Sequence, residues 1–151
     1  MASSIYRAAA SGLGNSAAYQ VGGVPYATAS ITTAVLGGAP YELTFPNVTK
    51  FVTITNTNTG ANVPLRVGFS ALGVTGSTEA GSPSAPPPAG ASDHYFTLDN
   101  GESYTGEFRV SRLYFLSGLQ ASATTLSVIA GLTSIPSTDL ASNWSGSAGV
   151  G

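Results

Sequence analysis

The stretch Leu65–Ser70, which reads LRVGFS, most clearly decides the fold. Large apolar residues occupy every second position of it, at Leu65, Val67 and Phe69. The positions between them carry charged or small residues, namely Arg66, Gly68 and Ser70. Successive side chains of a β-strand point to opposite faces, so this period of two predicts a strand with one buried face and one outward face.

The same alternation extends in both directions from this stretch. In Lys50–Asn56 (KFVTITN), Val52 and Ile54 share one face, and the threonines between them share the other. Together with short apolar runs bounded by turn residues, these patterns predict the following strands: Tyr26–Thr33, Tyr41–Phe45, Lys50–Asn56, Leu65–Ser70, His94–Leu98, Ser103–Val110, Arg112–Ser117 and Thr125–Leu132. Such spacing favours an all-β chain, a single eight-stranded antiparallel jelly-roll sandwich, with an immunoglobulin-like sandwich as the alternative.

Particular residues sharpen this prediction. The predicted core comprises Leu65, Val67, Phe69, Phe108, Leu113, Phe115 and Val128. Inward parity switches at Ser111, which predicts a bulge or a tight turn there. The triplet Asp99-Asn100-Gly101 is typical of a turn, because these residues tolerate positive φ.

The segments outside the strands divide the chain. Residues 1–23 read as an extended N-terminal arm, residues 24–135 as the jelly-roll domain, and residues 136–151 as a C-terminal tail. Within the domain, residues 73–92 form a Pro/Gly/Ser-rich stretch that predicts a long loop.

Composition excludes several classes of function. Only 8% of the 151 residues are charged and the net charge is −2, so the chain cannot coat nucleic acid with cations. A neutral surface suits burial against copies of the chain or against partners, although a secreted or thermally robust domain with a Ser/Thr coat is the alternative. With no cysteine, disulfides and thiolate sites are excluded, and no apolar run is long enough to span a membrane.

Catalytic and metal chemistry find little support in the residues. His94 is the single histidine, and Asp93 beside it would point to the opposite face of a strand, so we expect no enzyme and no cofactor. Asp99, Asn100 and Glu102 could offer oxygens to calcium, but their turn propensity favours a plain turn. We expect charge pairing among Glu107, Arg109 and Arg112. The glycosylation patterns at Asn47 and Asn143 are interpreted as chance matches.

The candidate functional residues are apolar anchors in the terminal segments. Such side chains suit insertion into pockets of neighbouring subunits, and the predicted assembly contacts are Ile5, Tyr6, Leu13, Tyr19 and Trp144. A sugar-stacking platform is the competing interpretation. It would need outward aromatic rings on the strands, for which the sequence offers Tyr114 and Tyr104.

Four segments also carry a family resemblance: Phe51–Gly60 (FVTITNTNTG), Leu65–Val74 (LRVGFSALGV), Tyr95–Gly118 (YFTLDNGESYTGEFRVSRLYFLSG) and Leu126–Ile135 (LSVIAGLTSI). Their strand pattern resembles the small single jelly-roll capsid proteins, penton or minor capsid protein, of large icosahedral double-stranded DNA viruses. The resemblance implies a pentamer at five-fold vertices of the virion, with N-terminal arms contacting the major capsid protein, and no catalytic residues. The stretch at residues 73–92 has no counterpart in that family.

The expected function is therefore that of a virion structural protein acting through assembly contacts. A carbohydrate- or receptor-binding β-sandwich module is the alternative, and an exposed aromatic cluster would favour it.

Overall fold

The computed structural model describes residues 23–76 and 93–140. The strands are β1 (Val24–Thr32), β2 (Tyr41–Thr44), β3 (Asn47–Asn56), β4 (Leu65–Gly68), β5 (Tyr95–Leu98), β6 (Ser103–Gly106), β7 (Arg112–Ser117) and β8 (Thr125–Pro136). A short helix α1 (Ala71–Thr75) follows β4, and a 3-10 turn (Ser137–Asp139) follows β8. Within the described ranges, no helix has the length and apolar character needed to cross a bilayer.

The strands form two antiparallel four-stranded sheets, which makes the chain an all-β sandwich. The β3 sheet has the order β1-β8-β3-β6, and the β7 sheet has the order β2-β7-β4-β5. The pairing is nested, because β1 pairs with β8, β2 with β7, β3 with β6, and β4 with β5. Strands distant in sequence are thus neighbours in space.

The core lies between the two sheets and follows the predicted alternation. Five predicted core residues are buried, which confirms them: Leu65, Val67, Leu113, Phe115 and Val128. The other two, Phe69 and Phe108, are only half-buried and pack against the core from its margin. Both lie just beyond a strand end, where their rings meet edge to face.

The parity switch at Ser111 has a different cause from the one predicted. Strand β6 ends at Gly106 instead of Val110, and residues 107–111 carry the chain from the β3 sheet to the β7 sheet. Thr49 holds this crossing, since its hydroxyl donates to the Phe108 carbonyl oxygen at 2.6 Å and accepts from the Val110 amide at 3.1 Å. The switch is therefore a change of sheet and not a bulge or a tight turn.

Two local predictions around β4 need correction. The strand ends at Gly68, and the Ser70 side chain accepts from the Gly73 amide to cap α1, so the first residues of the predicted loop are helical. Arg66 lies on the outer face as expected, yet it is only 3% exposed. That face is buried because α1 and the β1–β2 connection cover it.

The predicted turn between β5 and β6 is confirmed. Gly101 has φ +78°, and the Glu102 amide donates to the Asp99 carbonyl oxygen at 2.9 Å. Strand β8 continues to Pro136, past the predicted end at Leu132, because Pro136 still faces Asn47 at the start of β3.

Candidate functional site

The assembly contacts predicted from the sequence, Ile5, Tyr6, Leu13, Tyr19 and Trp144, lie outside the described residues. They stay a prediction. The surfaces of the sandwich itself then provide the candidate sites, and the outer faces of its two sheets differ sharply.

The outer face of the β7 sheet is covered by its own chain. Leu36 from the β1–β2 connection and Val74 from α1 bury Leu116 of β7, with Tyr95 and Tyr114 packed around them. Tyr114, one of the two aromatic residues expected to point outward, is therefore part of a second small core. This face offers no aromatic platform at Tyr114.

The outer face of the β3 sheet carries hydroxyl side chains on adjacent strands. Register places Thr53 opposite Thr105 and Thr55 opposite Ser103, and β8 adds Ser127 beside Thr55. We call these five residues and Ile129 the hydroxyl face. The hydroxyls of Thr53 and Thr105 hydrogen bond to each other at 2.8 Å, and those of Thr55 and Ser103 do so at 2.7 Å. The pairs satisfy one another across the strands.

Ile129 gives the hydroxyl face an apolar residue at its β8 side. Its side chain is 53% exposed, and it lies between Thr53 of β3 and Ala27 of β1. Next along the strands, the Phe51 ring lies over Gly131, where an added Cβ would overlap ring carbons. An exposed isoleucine on a central strand has no role in the sandwich core, so its burial by another molecule would be favourable.

The electrostatics of the hydroxyl face favour contact with a neutral partner. None of its side chains is charged, so a second molecule meets no unpaired ion there. Because four of its hydroxyls already hydrogen bond to each other, removing water from them costs less than removing it from unpaired polar groups. The face can therefore be buried without new charge pairs.

An aromatic cluster closes the side of the sandwich where β5 and β6 form the sheet edges. The Tyr104 ring is 4.9 Å from the Phe96 ring and 6.0 Å from the Phe108 ring, and Phe69 lies 5.3 Å from Phe108 edge to face. Tyr104 faces inward, since its register partner is the buried Ile54, but its position at the edge leaves it 41% exposed. One ring of the cluster thus reaches the surface.

The oxygens considered for calcium are engaged in hydrogen bonds. Asp99 Oδ1 accepts from Asn62 at 3.1 Å, and Glu102 Oε2 accepts from the Asp99 amide at 2.8 Å. Asn100 Oδ1 accepts from the Val63 amide at 3.0 Å. These contacts brace the turn against the β3–β4 connection. In residues 23–76 and 93–140 there is no group of three or more His, Asp or Glu side chains placed to hold a metal ion.

The expected cluster of Arg109, Arg112 and Glu107 is replaced by a pair between strands. Arg112 Nη1 lies 2.9 Å from Glu42 Oε1 across β2 and β7. A side-chain hydrogen bond with Tyr114 is the main influence raising the pKa of Arg112 above its ordinary value, and Glu42 adds to it. Both partners are partly exposed, so the pair contributes at most about 1 kcal/mol.

Comparisons with protein-family models, with curated proteins and with solved structures found no match to this chain. The functional argument therefore rests on the fold and on the surfaces described above.

Proposed function

We propose that this chain is a virion structural protein, a single jelly-roll capsid subunit that works through contacts with neighbouring subunits. The proposed partners are copies of the same chain, five around a vertex, and the major capsid protein. The proposal assigns the chain no catalytic role and no cofactor, and its location would be the capsid.

The nested strand pairing supports the jelly-roll assignment. Rolling up one long antiparallel hairpin brings its first strand beside its last, and the pairs β1–β8, β2–β7, β3–β6 and β4–β5 follow that scheme. A fold alone does not establish a function, so the argument needs a surface as well.

The hydroxyl face carries the functional argument. Its side chains are uncharged, it has the exposed Ile129 at its β8 side, and the covered β7 sheet has no equivalent. A chain with so few charged residues is suited to contacts that bury its surface in an assembly.

The mass of the full chain in solution tests this proposal. Light scattering over a range of concentrations should show an oligomer for the natural chain and a shift to monomer for Ile129→Lys, because the lysine would be buried unpaired. Leu72→Lys is the matched control, since Leu72 is an exposed apolar residue (44%) on α1, away from the hydroxyl face. A natural chain that stays monomeric at every concentration, or equal effects of both variants, would contradict the proposal.

The alternative of a carbohydrate-binding module rests on the partly exposed Tyr104 ring. A ring in such a cluster can stack on a sugar. Glycan binding that Tyr104→Ala abolishes, with Ile129→Lys leaving it intact, would favour this second function.

A further inference from the structure

The turn between β5 and β6 contains the only Asn-Gly pair in the chain, Asn100 and Gly101. An asparagine side chain is most prone to deamidation when glycine follows it, because glycine has no side chain to shield its backbone nitrogen. That nitrogen is the atom that attacks the asparagine. The contacts of both residues in the folded chain therefore decide whether the reaction can occur.

The side chain of Asn100 is bound to the connection between β3 and β4, residues 57–64. Its Oδ1 accepts from the Val63 amide at 3.0 Å and from Asn58 Nδ2 at 3.3 Å. Its Nδ2 donates to the Ala61 carbonyl oxygen at 2.9 Å. Both polar atoms of the amide group are thus held by a different part of the fold and not by the turn itself.

The attacking nitrogen is also engaged, since the Gly101 amide donates to the Asn56 carbonyl oxygen at 2.9 Å. In deamidation this nitrogen bonds to Cγ of Asn100 and the bond from Cγ to Nδ2 breaks. The proton of the Gly101 amide leaves with Nδ2 as ammonia. Water then opens the cyclic imide and leaves an aspartate or an isoaspartate. While the hydrogen bonds to Asn56 and to the connection persist, neither reacting group is available.

We propose that Asn100 is a deamidation site controlled by the β3–β4 connection. The reaction occurs only when the connection leaves the turn, and its product keeps the connection from returning. This inference does not depend on the capsid proposal. Val63 is the one buried residue of the connection, so opening this part requires less free energy than unfolding the sandwich.

The product is incompatible with the native contact. A carboxylate in place of the Asn100 amide has an oxygen where Nδ2 lies, so the hydrogen bond to the Ala61 carbonyl oxygen becomes a repulsion between two acceptors. Asp99 and Glu102 already bring two carboxylates to the same turn, and a third adds like-charge repulsion. An isoaspartate in addition lengthens the backbone of the turn by one carbon atom.

Peptide mass spectrometry of the full chain, incubated at mildly alkaline pH, measures deamidation at Asn100. The rate should be at least about tenfold lower in the folded chain than in the chain unfolded by urea. Asn56→Ala removes the hydrogen bond from Asn56 Nδ2 to the Val63 carbonyl oxygen, and it should raise the rate in the folded chain about tenfold. Phe115→Ala is the control, because it weakens the core without touching the connection, and it should leave the rate nearly unchanged. Equal rates in the folded and unfolded chain, or equal acceleration by the two variants, would overturn the proposal.

Asn100→Asp tests the effect of the product without any incubation. Hydrogen exchange at the Val63 amide should accelerate about tenfold, while the Val52 amide in the core keeps its protection. Thr59→Asp is the matched control, since it adds the same charge to an exposed position of the connection and leaves Asn100 intact. Unchanged exchange at Val63 in Asn100→Asp, or the same acceleration in Thr59→Asp, would show that the product does not keep the connection open.

Discussion

The sharpest prediction concerns Asn56, the last residue of β3, which is fully buried at one end of the sandwich. Its amide nitrogen donates to the carbonyl oxygens of Val63 at 3.0 Å and Leu98 at 2.9 Å. Its amide oxygen accepts from the Asn58 amide at 3.0 Å and from the Thr124 hydroxyl at 3.1 Å. One side chain thus joins the β3–β4 connection, the β7–β8 connection and the end of β5.

The substitution Asn56→Ala removes all four hydrogen bonds, but the partners differ in what they lose. The Asn58 amide is only partly buried, so it can bond to water, and the Thr124 hydroxyl keeps a 3.4 Å contact with the Val63 carbonyl. The Leu98 carbonyl loses its partner in a buried setting. At about 1–3 kcal/mol for the one buried group left unsatisfied, and about 1 kcal/mol for the hydrogen bonds that the other partners lose, we expect the free energy of unfolding to fall by about 2–4 kcal/mol.

Urea denaturation followed by far-ultraviolet circular dichroism measures this loss. Asn62→Ala is the matched control, because Asn62 is exposed and makes two hydrogen bonds, to Asp99 and to the Asn100 amide. We expect that control to lose less than about 1 kcal/mol. Equal losses for the two asparagines would refute the argument, because burial would then have no effect on the cost.

Two further predictions follow from the fold. Phe115→Ala should lower the free energy of unfolding by about 3–5 kcal/mol, because the Phe115 ring is fully buried. Phe69→Ala should lower it by no more than about 2 kcal/mol, because Phe69 is only half-buried. Urea denaturation measures both losses, and the reverse order would contradict this assignment of the core. Deleting residues 1–22 should leave the melting temperature nearly unchanged and impair incorporation into the proposed capsid assembly. The deletion stops before Gly23 because that residue packs against Gly131. A truncated chain that unfolds would show that those residues belong to the sandwich.

Much of the sandwich could be predicted from local alternation. The buried Val52 and Ile54, and the bounds of β7, follow directly from a period of two. Strand ends were less predictable, since alternation continues through Phe108 although the chain has already left the β3 sheet. Which side chains of a strand share a face depends on the local sequence, whereas the partner of a strand depends on residues far away in the chain.

The surfaces could be predicted only in part. Alternation assigns Thr53 and Thr55 to the outer face, but only the register with β6 and β8 brings Ser103, Thr105 and Ile129 beside them. Likewise, alternation assigns Arg66 to the correct face, but its burial depends on its contacts with Thr75 of α1 and with the Tyr95 ring. Contacts of that range leave no periodic signal in the sequence.

The nested pairing also has a kinetic consequence. Among the described strands, β8 is synthesised last, yet it lies between β1 and β3, so the β3 sheet remains divided until β8 arrives. Pairing over such long sequence separations is slow, because the loop entropy is lost before the contacts form. A nascent chain that lacks β8 has neither Ser127 nor Ile129 and cannot display a complete hydroxyl face. Under the proposed assembly role, association through that face therefore has to wait until synthesis has passed β8.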